Sequence, residues 1–268
     1  MLNPYRVLDL CDAGALVCGQ ILGDLGADVI LVEPPDGVQA RRIGPFIDKQ
    51  PDFNRSLNFF SLNRNKRSIT LDLKTSSGRE QLLDLVKTSD VLIESFDSGY
   101  LDRLGLGYSV VGDLNPRLVM VSITPFGQHG PKANWAATDL TVTAASGVLF
   151  ITGDEDRAPV YVSIPQAFLN AGAEAAVGTL IALSARERDG VGQHIDVSAQ
   201  TAMMMTTGFV TLAHGWNDLP LERVGGGMKF GPLRLRFVYP CKDGHVNITF
   251  LFGSVLGYRY ATAVQVDL

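Results

Sequence analysis

The sequence predicts an α/β fold, a parallel sheet covered by helices on both faces, and two observations carry that prediction. Short runs of Val, Ile and Leu recur through the first half, continuous rather than alternating, as strands buried on both faces must be. Between them lie segments with apolar residues at helical spacing, closed by glycine or polar turns. Strands that alternate with helices over short connections imply right-handed crossovers.

Tyr5–Leu10 reads as the first strand, Ala15–Leu25 as a small-residue helix and Asp28–Val32 as the second strand, with Gly26 as the glycine that closes the helix. The loop Glu33-Pro34-Pro35-Asp36-Gly37 follows. Ser68–Leu73 reads as a strand and Thr75–Thr88 as a helix with Leu82, Leu83, Leu85 and Val86 on its apolar face. Asp90–Glu94 is the next strand, Leu101–Gly105 starts a helical or looped crossover, and Leu118–Thr124 is another central strand.

From Ala136 to Ala182 small residues dominate, and Ala167–Leu183 reads as a helix with Ala and Gly along one side, suited to close packing. Arg186–Gly192 reads as a polar turn, and Gln193–Ser198 as a strand that leads into a Met-rich helix. Met203-Met204-Met205 reads first as core packing and second as an adaptable apolar wall. Arg236–Tyr239 and His245–Phe250 flank the turn Lys242-Asp243-Gly244 as a hairpin would. The division expected is a large Rossmann-like domain over 1–219 and a partial, smaller α+β domain over 220–268. Gly257–Leu268 shows no closing helix or strand, so the second region is expected to be truncated.

With 46% hydrophobic and 19% charged residues, the 268-residue chain can bury a sizeable core. A net charge of −5 argues against a general nucleic-acid surface. Cys11, Cys18 and Cys241 are an odd count without CxxC spacing, which reads as reduced thiols in a cytoplasmic protein with no metal site. The N-terminus lacks the layout of a signal peptide, and the longest apolar runs are interrupted by Gly, Asp or Ser, which argues against a membrane span.

Gly14-x-x-x-x-Gly19 beside the first strand is not G-x-G-x-x-G, so a nicotinamide site is not expected. A more telling signal is an ordered series of segments: QILGDLGADVILVEPP (20–35), SLNRNKRSITLDL (61–73), DVLIESF (90–96), LDRLGLGY (101–108), NPRLVMVSITPFGQHGP (115–131), TAASGVLFITG (143–153) and GVGQHIDVS (190–198). Together they resemble the family III CoA-transferases, the group that includes formyl-CoA transferase, carnitine CoA-transferase and the acyl-CoA racemases. The resemblance spans roughly 5–252.

The resemblance implies coenzyme A or an acyl-CoA as substrate, with no permanently bound cofactor, and contacts at Gln20, Arg42, Leu71, Asp72, Leu73, Lys74, Phe96 and Arg103. The phosphates of CoA call for cations and backbone N–H donors, which these loops and strand ends can offer. Arg41 competes with Arg42, Lys66 can be structural, and Phe96 either covers the adenine or packs in the core. His129 and His194 read as scaffold.

The family's chemistry runs through an aspartate that attacks the acyl-CoA thioester, because the intermediate must itself be an acyl group. Here the matching position is Phe168, with Gln166 nearby, and neither is a nucleophile, so no catalytic residue is assigned to this chain. Asp139 follows Thr138 where a racemase would have His, and reads as a helix-start or hydrogen-bonding residue; Glu174 lies on the Ala-rich helix, pointing elsewhere.

Three readings stay open. One is a non-catalytic subunit that interlocks, as a dimer, with an Asp-bearing homologue, as in heteromeric benzylsuccinate-type enzymes. The others are an active transferase or racemase that uses another carboxylate, and a degenerate CoA-binding fragment. The resemblance also implies a C-terminal segment that returns to the first domain, and none is seen in this sequence.

Overall fold

A computed structural model describes residues 1–208, 222–230 and 233–248. The first strand, β1 (Arg6–Leu10), leads into a 3-10 turn (Ala13–Leu16) and α1 (Val17–Asp24); β2 (Asp28–Glu33), α2 (Leu57–Leu62) and β3 (Lys66–Thr70) follow. Then come α3 (Ser76–Val86), β4 (Val91–Glu94), α4 (Tyr100–Arg103), α5 (Tyr108–Leu114) and β5 (Val119–Thr124). The remaining elements of this part are α6 (Asp139–Ala145), α7 (Val148–Ile151), α8 (Ala167–Asp189), β6 (His194–Ser198) and α9 (Ala199–Met205).

Six strands pair in the order β3-β2-β1-β4-β5-β6, all parallel. The chain winds outward from β1 to β3, then restarts at β4 on the other side of β1. Strand direction and order therefore open a crevice at the carboxyl ends of β1 and β4, the place where sheets of this type bind ligands. Val7, Val29, Val91 and Val121 face α1 and α8 in one core, while Leu8, Ile30, Leu92 and Met120 face α3, α4 and α5 in the other. Both faces are covered, which is why the strands are apolar runs.

By contact density, Met1–Ser146 and Val162–Thr207 make one compact unit. Gly147–Tyr161 groups with the described residues after Thr207 in a second. In the second unit, β7 (Gly227–Phe230) pairs antiparallel with β8 (Leu233–Arg236), and β9 (Val238–Cys241) with β10 (Gly244–Asn247). The expected hairpin around Lys242-Asp243-Gly244 is present, but its first strand starts at Val238, because Arg236 ends β8. Ile248 is the last described residue, so the expectations for 257–268 lie outside the described residues.

Two boundaries differ from expectation for physical reasons. The third strand ends at Thr70, leaving Leu71–Leu73 as loop. It is an edge strand with Arg67, Ser68 and Thr70 exposed, so apolar patterning does not mark its limits. The expected polar turn at 186–192 is instead the last turn of α8, closed by Gly190 at φ 76°. Arg186 is only 2% exposed and donates to Asp90 Oδ1 at 3.0 Å and to the Arg117 carbonyl at 2.9 Å, so its charge points into the protein. Among the described residues α8 is also the one helix long and apolar enough to cross a membrane. Its Ala171, Ala175, Ala176 and Ala182 stripe is buried on the sheet and α1, as suits a core helix.

Candidate active site

Most of the candidate ligand contacts follow the carboxyl ends of β2, β3 and β4. After β2, the two competing arginines separate. Arg41 is half-buried and grips Glu33 with two hydrogen bonds, Nε to Oε2 at 2.6 Å and Nη2 to Oε1 at 2.7 Å. Its guanidinium also covers the Phe59 ring at 3.7 Å. Burial alone would raise the Glu33 carboxyl, but the hydrogen bonds from Arg41, Ser68 and the Val38 N–H outweigh it and hold the group below its ordinary value. Arg42 is exposed; it donates to the Asp36 carbonyl at 2.7 Å, and its guanidinium lies 5.8 Å from the Phe53 ring.

After β3, Leu71 is buried and Lys74 exposed. The loop between them is held from both sides: Asp72 Oδ1 accepts the Lys74 N–H at 3.0 Å, and Arg79 Nη1 donates to the carbonyls of Leu73 and Lys74 at 3.1 and 3.0 Å. Thr75 caps α3 by accepting the Gly78 N–H.

After β4, Phe96 and Arg103 come together through Tyr100, which sequence reasoning did not single out. The Phe96 and Tyr100 rings lie 4.9 Å apart, and the Arg103 guanidinium is 5.9 Å from the Tyr100 ring. Phe96 is half-buried, with its ring packed on the second core, so one part is committed to packing. Gln20 sits half-buried on α1, and among the described residues no hydrogen bond joins it to the other candidates.

Lys66 belongs to a different class. Its ammonium lies 2.8 Å from Asp9 Oδ2, with side chains 1% and 0% exposed, and also donates to the Leu16 carbonyl. It is an interior brace, not a surface cation. Gly19 makes room for it: a Cβ there would fall 2.1 Å from Asp9 Oδ2. Gly14 has a similar task, since a Cβ would come within 3.0 Å of Phe168 Cβ. The two glycines serve close packing.

Phe168 lies in the first turn of α8, half-buried against the first core. The backbone N–H groups of Gln166 and Ala167 donate to the Asp139 carboxylate at 3.1 and 2.7 Å. Asp139 therefore caps α8 from a distant helix and places negative charge where the helix dipole favours it. The Gln166 side chain turns to the Ile164 carbonyl at 3.1 Å, and Glu174 is exposed further along the helix. Cys11 and Cys18 are buried, and burial is the largest effect pushing both thiols up, so neither is a ready nucleophile.

A cavity of about 190 Å³ lies behind the Phe96–Arg103 segment, lined by Glu94, Tyr100, Tyr108, Gln128 and His194 among others. His194 Nε2 is 2.9 Å from Ser122 Oγ and its ring stacks on Tyr108 at 5.3 Å, contacts that suit a scaffold role. Glu94 is 3% exposed, and burial pushes its carboxyl up to about 7. The folded state then holds a proton that the unfolded chain releases near 4.5. Stability should fall as pH rises from about 5 through 7, and the penalty should be complete above that. Glu94→Gln should flatten this decline and raise stability at pH 8, compared by urea midpoints at pH 5 and 8. An unchanged slope would remove Glu94 from the account.

Comparison with known proteins decides the family. The model for CoA-transferase family III matches residues 2–254. The chain belongs to that family. It is 38% identical over 251 residues to the succinyl-CoA:(R)-benzylsuccinate CoA-transferase subunit BbsE of Thauera aromatica. That match covers 94% of this chain and 60% of the relative. It is 43% identical over 180 residues to the acetyl-CoA:oxalate CoA-transferase of Acetobacter aceti, covering 66% of this chain and 45% of that protein. A crystal structure of a CaiB/BaiF family protein from Brucella suis superposes with a TM-score of 0.82 at 35% identity, over 91% of this chain and 64% of that one. The chain thus spans about half to two thirds of the length of the family III proteins it matches.

Proposed function

We propose that this chain binds coenzyme A at the carboxyl edge of its sheet and acts as the non-nucleophilic subunit of a family III CoA-transferase, paired with a homologous Asp-bearing chain. The observation that carries the reading is Phe168, in the first turn of α8, at the position the resemblance assigns to the nucleophile. The relative BbsE is itself named a subunit of a CoA-transferase, which supports the pairing.

In such an enzyme a carboxylate attacks the thioester carbonyl and expels CoA thiolate, leaving a mixed anhydride. The thiolate then attacks the enzyme's acyl carbon, releases the first acid and forms an enzyme–CoA thioester. The acceptor carboxylate repeats both steps in reverse, so CoA moves between two acids without net redox change. The role proposed for this chain's residues is to bind and orient. Arg42, Lys74 and Arg103 supply cations for phosphates, the N–H groups of Asp72 and Leu73 supply backbone donors, and Phe96 with Tyr100 offers an aromatic edge for adenine. Asp139 is occupied in capping α8, and Glu174 stands exposed along the helix, which disfavours a substitute carboxylate in this chain. The unpaired thiols fit a reducing, cytoplasmic setting.

Intact-mass analysis after incubation with acyl-CoA is the test. The chain alone should carry no hydroxylamine-sensitive adduct, while a co-purified homologue with the aspartate should. An adduct on this chain would defeat the subunit reading, and calorimetry without any CoA binding would defeat the CoA reading.

A further inference from the structure

Two of the loops that carry the proposed CoA contacts, those of Arg42 and Phe96, are joined through one residue that no motif marks. Asp12 lies two residues past the end of β1 and caps the 3-10 turn after it: Oδ1 accepts the Ala13 N–H at 2.7 Å. The same oxygen accepts the Ala40 N–H at 3.0 Å, and Oδ2 accepts the Gln39 N–H at 2.7 Å. Those two donors open the short helical turn Gln39–Arg42, whose own cap residue, Val38, has no side chain to bond them. Asp12 therefore caps, from the end of the neighbouring strand, the turn that ends in Arg42. Its backbone N–H donates to Ser95 Oγ at 3.0 Å, and Ser95 immediately precedes Phe96.

We propose that Asp12 is the positioning residue that sets Arg42 and Phe96 relative to one another, so that the cation and the aromatic ring address one adenosine bisphosphate group. This rests on the CoA reading above. Orphaned N–H donors at Gln39 and Ala40 would let the turn relax into water-bonded arrangements and spread Arg42 over many positions. Binding would then have to order the turn as well as pair the charge. Asp12 acts through other residues and touches the phosphates in none of these contacts.

The experiment is calorimetry with adenosine 3′,5′-bisphosphate as probe, well below the melting transition of every variant. Asp12→Ala should weaken binding about tenfold, equivalent to the loss of roughly one charged hydrogen bond. Asp12→Asn keeps the Oδ1 acceptor and should fall between. Ser95→Ala loosens only the link to Phe96 and should cost about threefold. A purely structural role would lower the melting temperature of Asp12→Ala and leave the bisphosphate affinity at the wild-type value, which would overturn the proposal. If Asp12→Ala does not fold, unchanged affinity in both Asp12→Asn and Ser95→Ala would overturn it equally. Wild-type protein that does not bind the bisphosphate at all defeats the CoA reading first, and this inference with it.

Discussion

Lys66→Met will destabilise the protein by about 3–5 kcal/mol, because it strands the Asp9 carboxylate where water cannot reach it. Asp9 is 0% exposed on β1, and Lys66 reaches it from β3 across the intervening β2. Among the described residues, removing the ammonium leaves Asp9 with the Cys11 N–H at 3.1 Å as its remaining hydrogen bond. Measured against a total stability of about 5–15 kcal/mol, this is a large share. The pair is not thereby a net stabiliser. Burying two charges costs several kcal/mol per ion, and their attraction recovers that only with good geometry. The double variant Asp9→Leu/Lys66→Met should therefore regain more than half of what the single change loses. Urea titrations followed by circular dichroism provide the cycle. A loss below about 1 kcal/mol for Lys66→Met would show that solvent reaches the pair.

Gly78→Ala reverses the usual sign of a helix substitution. In the interior of a helix, alanine is favoured over glycine by roughly 0.5–1 kcal/mol. At Gly78 the new Cβ would fall 2.1 Å from the Asp72 carbonyl oxygen and 2.6 Å from its carbon. Both are backbone atoms, so no side-chain rotation relieves the clash. Either α3 or the Leu71–Lys74 loop must move, at a net cost of about 1–3 kcal/mol. The same displacement shifts Asp72 and Lys74, so CoA affinity should fall as well, by about tenfold if roughly one charged contact is lost. Ser77→Ala, on the exposed side of the same turn, is the control and should be neutral or slightly stabilising. A stable Gly78→Ala variant with wild-type CoA affinity would remove the Leu71–Lys74 loop from the proposed site.

Much of the fold was legible because two-sided burial writes itself as unbroken apolar runs. The central strands β1, β2, β4 and β5 lie within a residue or two of their expected bounds for that reason. The third strand was harder, since an edge strand with one neighbour and exposed polar side chains carries no such run. The end of α8 was misread because Arg186 is polar in sequence and buried in fact, its two Nη groups held by Asp90 and Arg117 from the segments that enter β4 and β5. Charge predicts exposure only where no partner waits inside.

At the site, the family resemblance carried by the ordered segments marked Gln20, Arg42, the Leu71–Lys74 stretch, Phe96 and Arg103 as candidates, and set Phe168 where the family has its carboxylate. Those are properties of local sequence: a cation in a loop, an aromatic after a strand, a nucleophile present or absent. The tertiary structure tied Arg41 to Glu33 inside the protein and left Arg42 on the surface. It decided that Lys66 is a brace, that Asp139 caps α8, and that Asp12 joins three loops. The last three of these facts depend on groups brought together from far apart along the chain. Local patterning records which face of an element is buried; it holds no record of what the fold sets against that face.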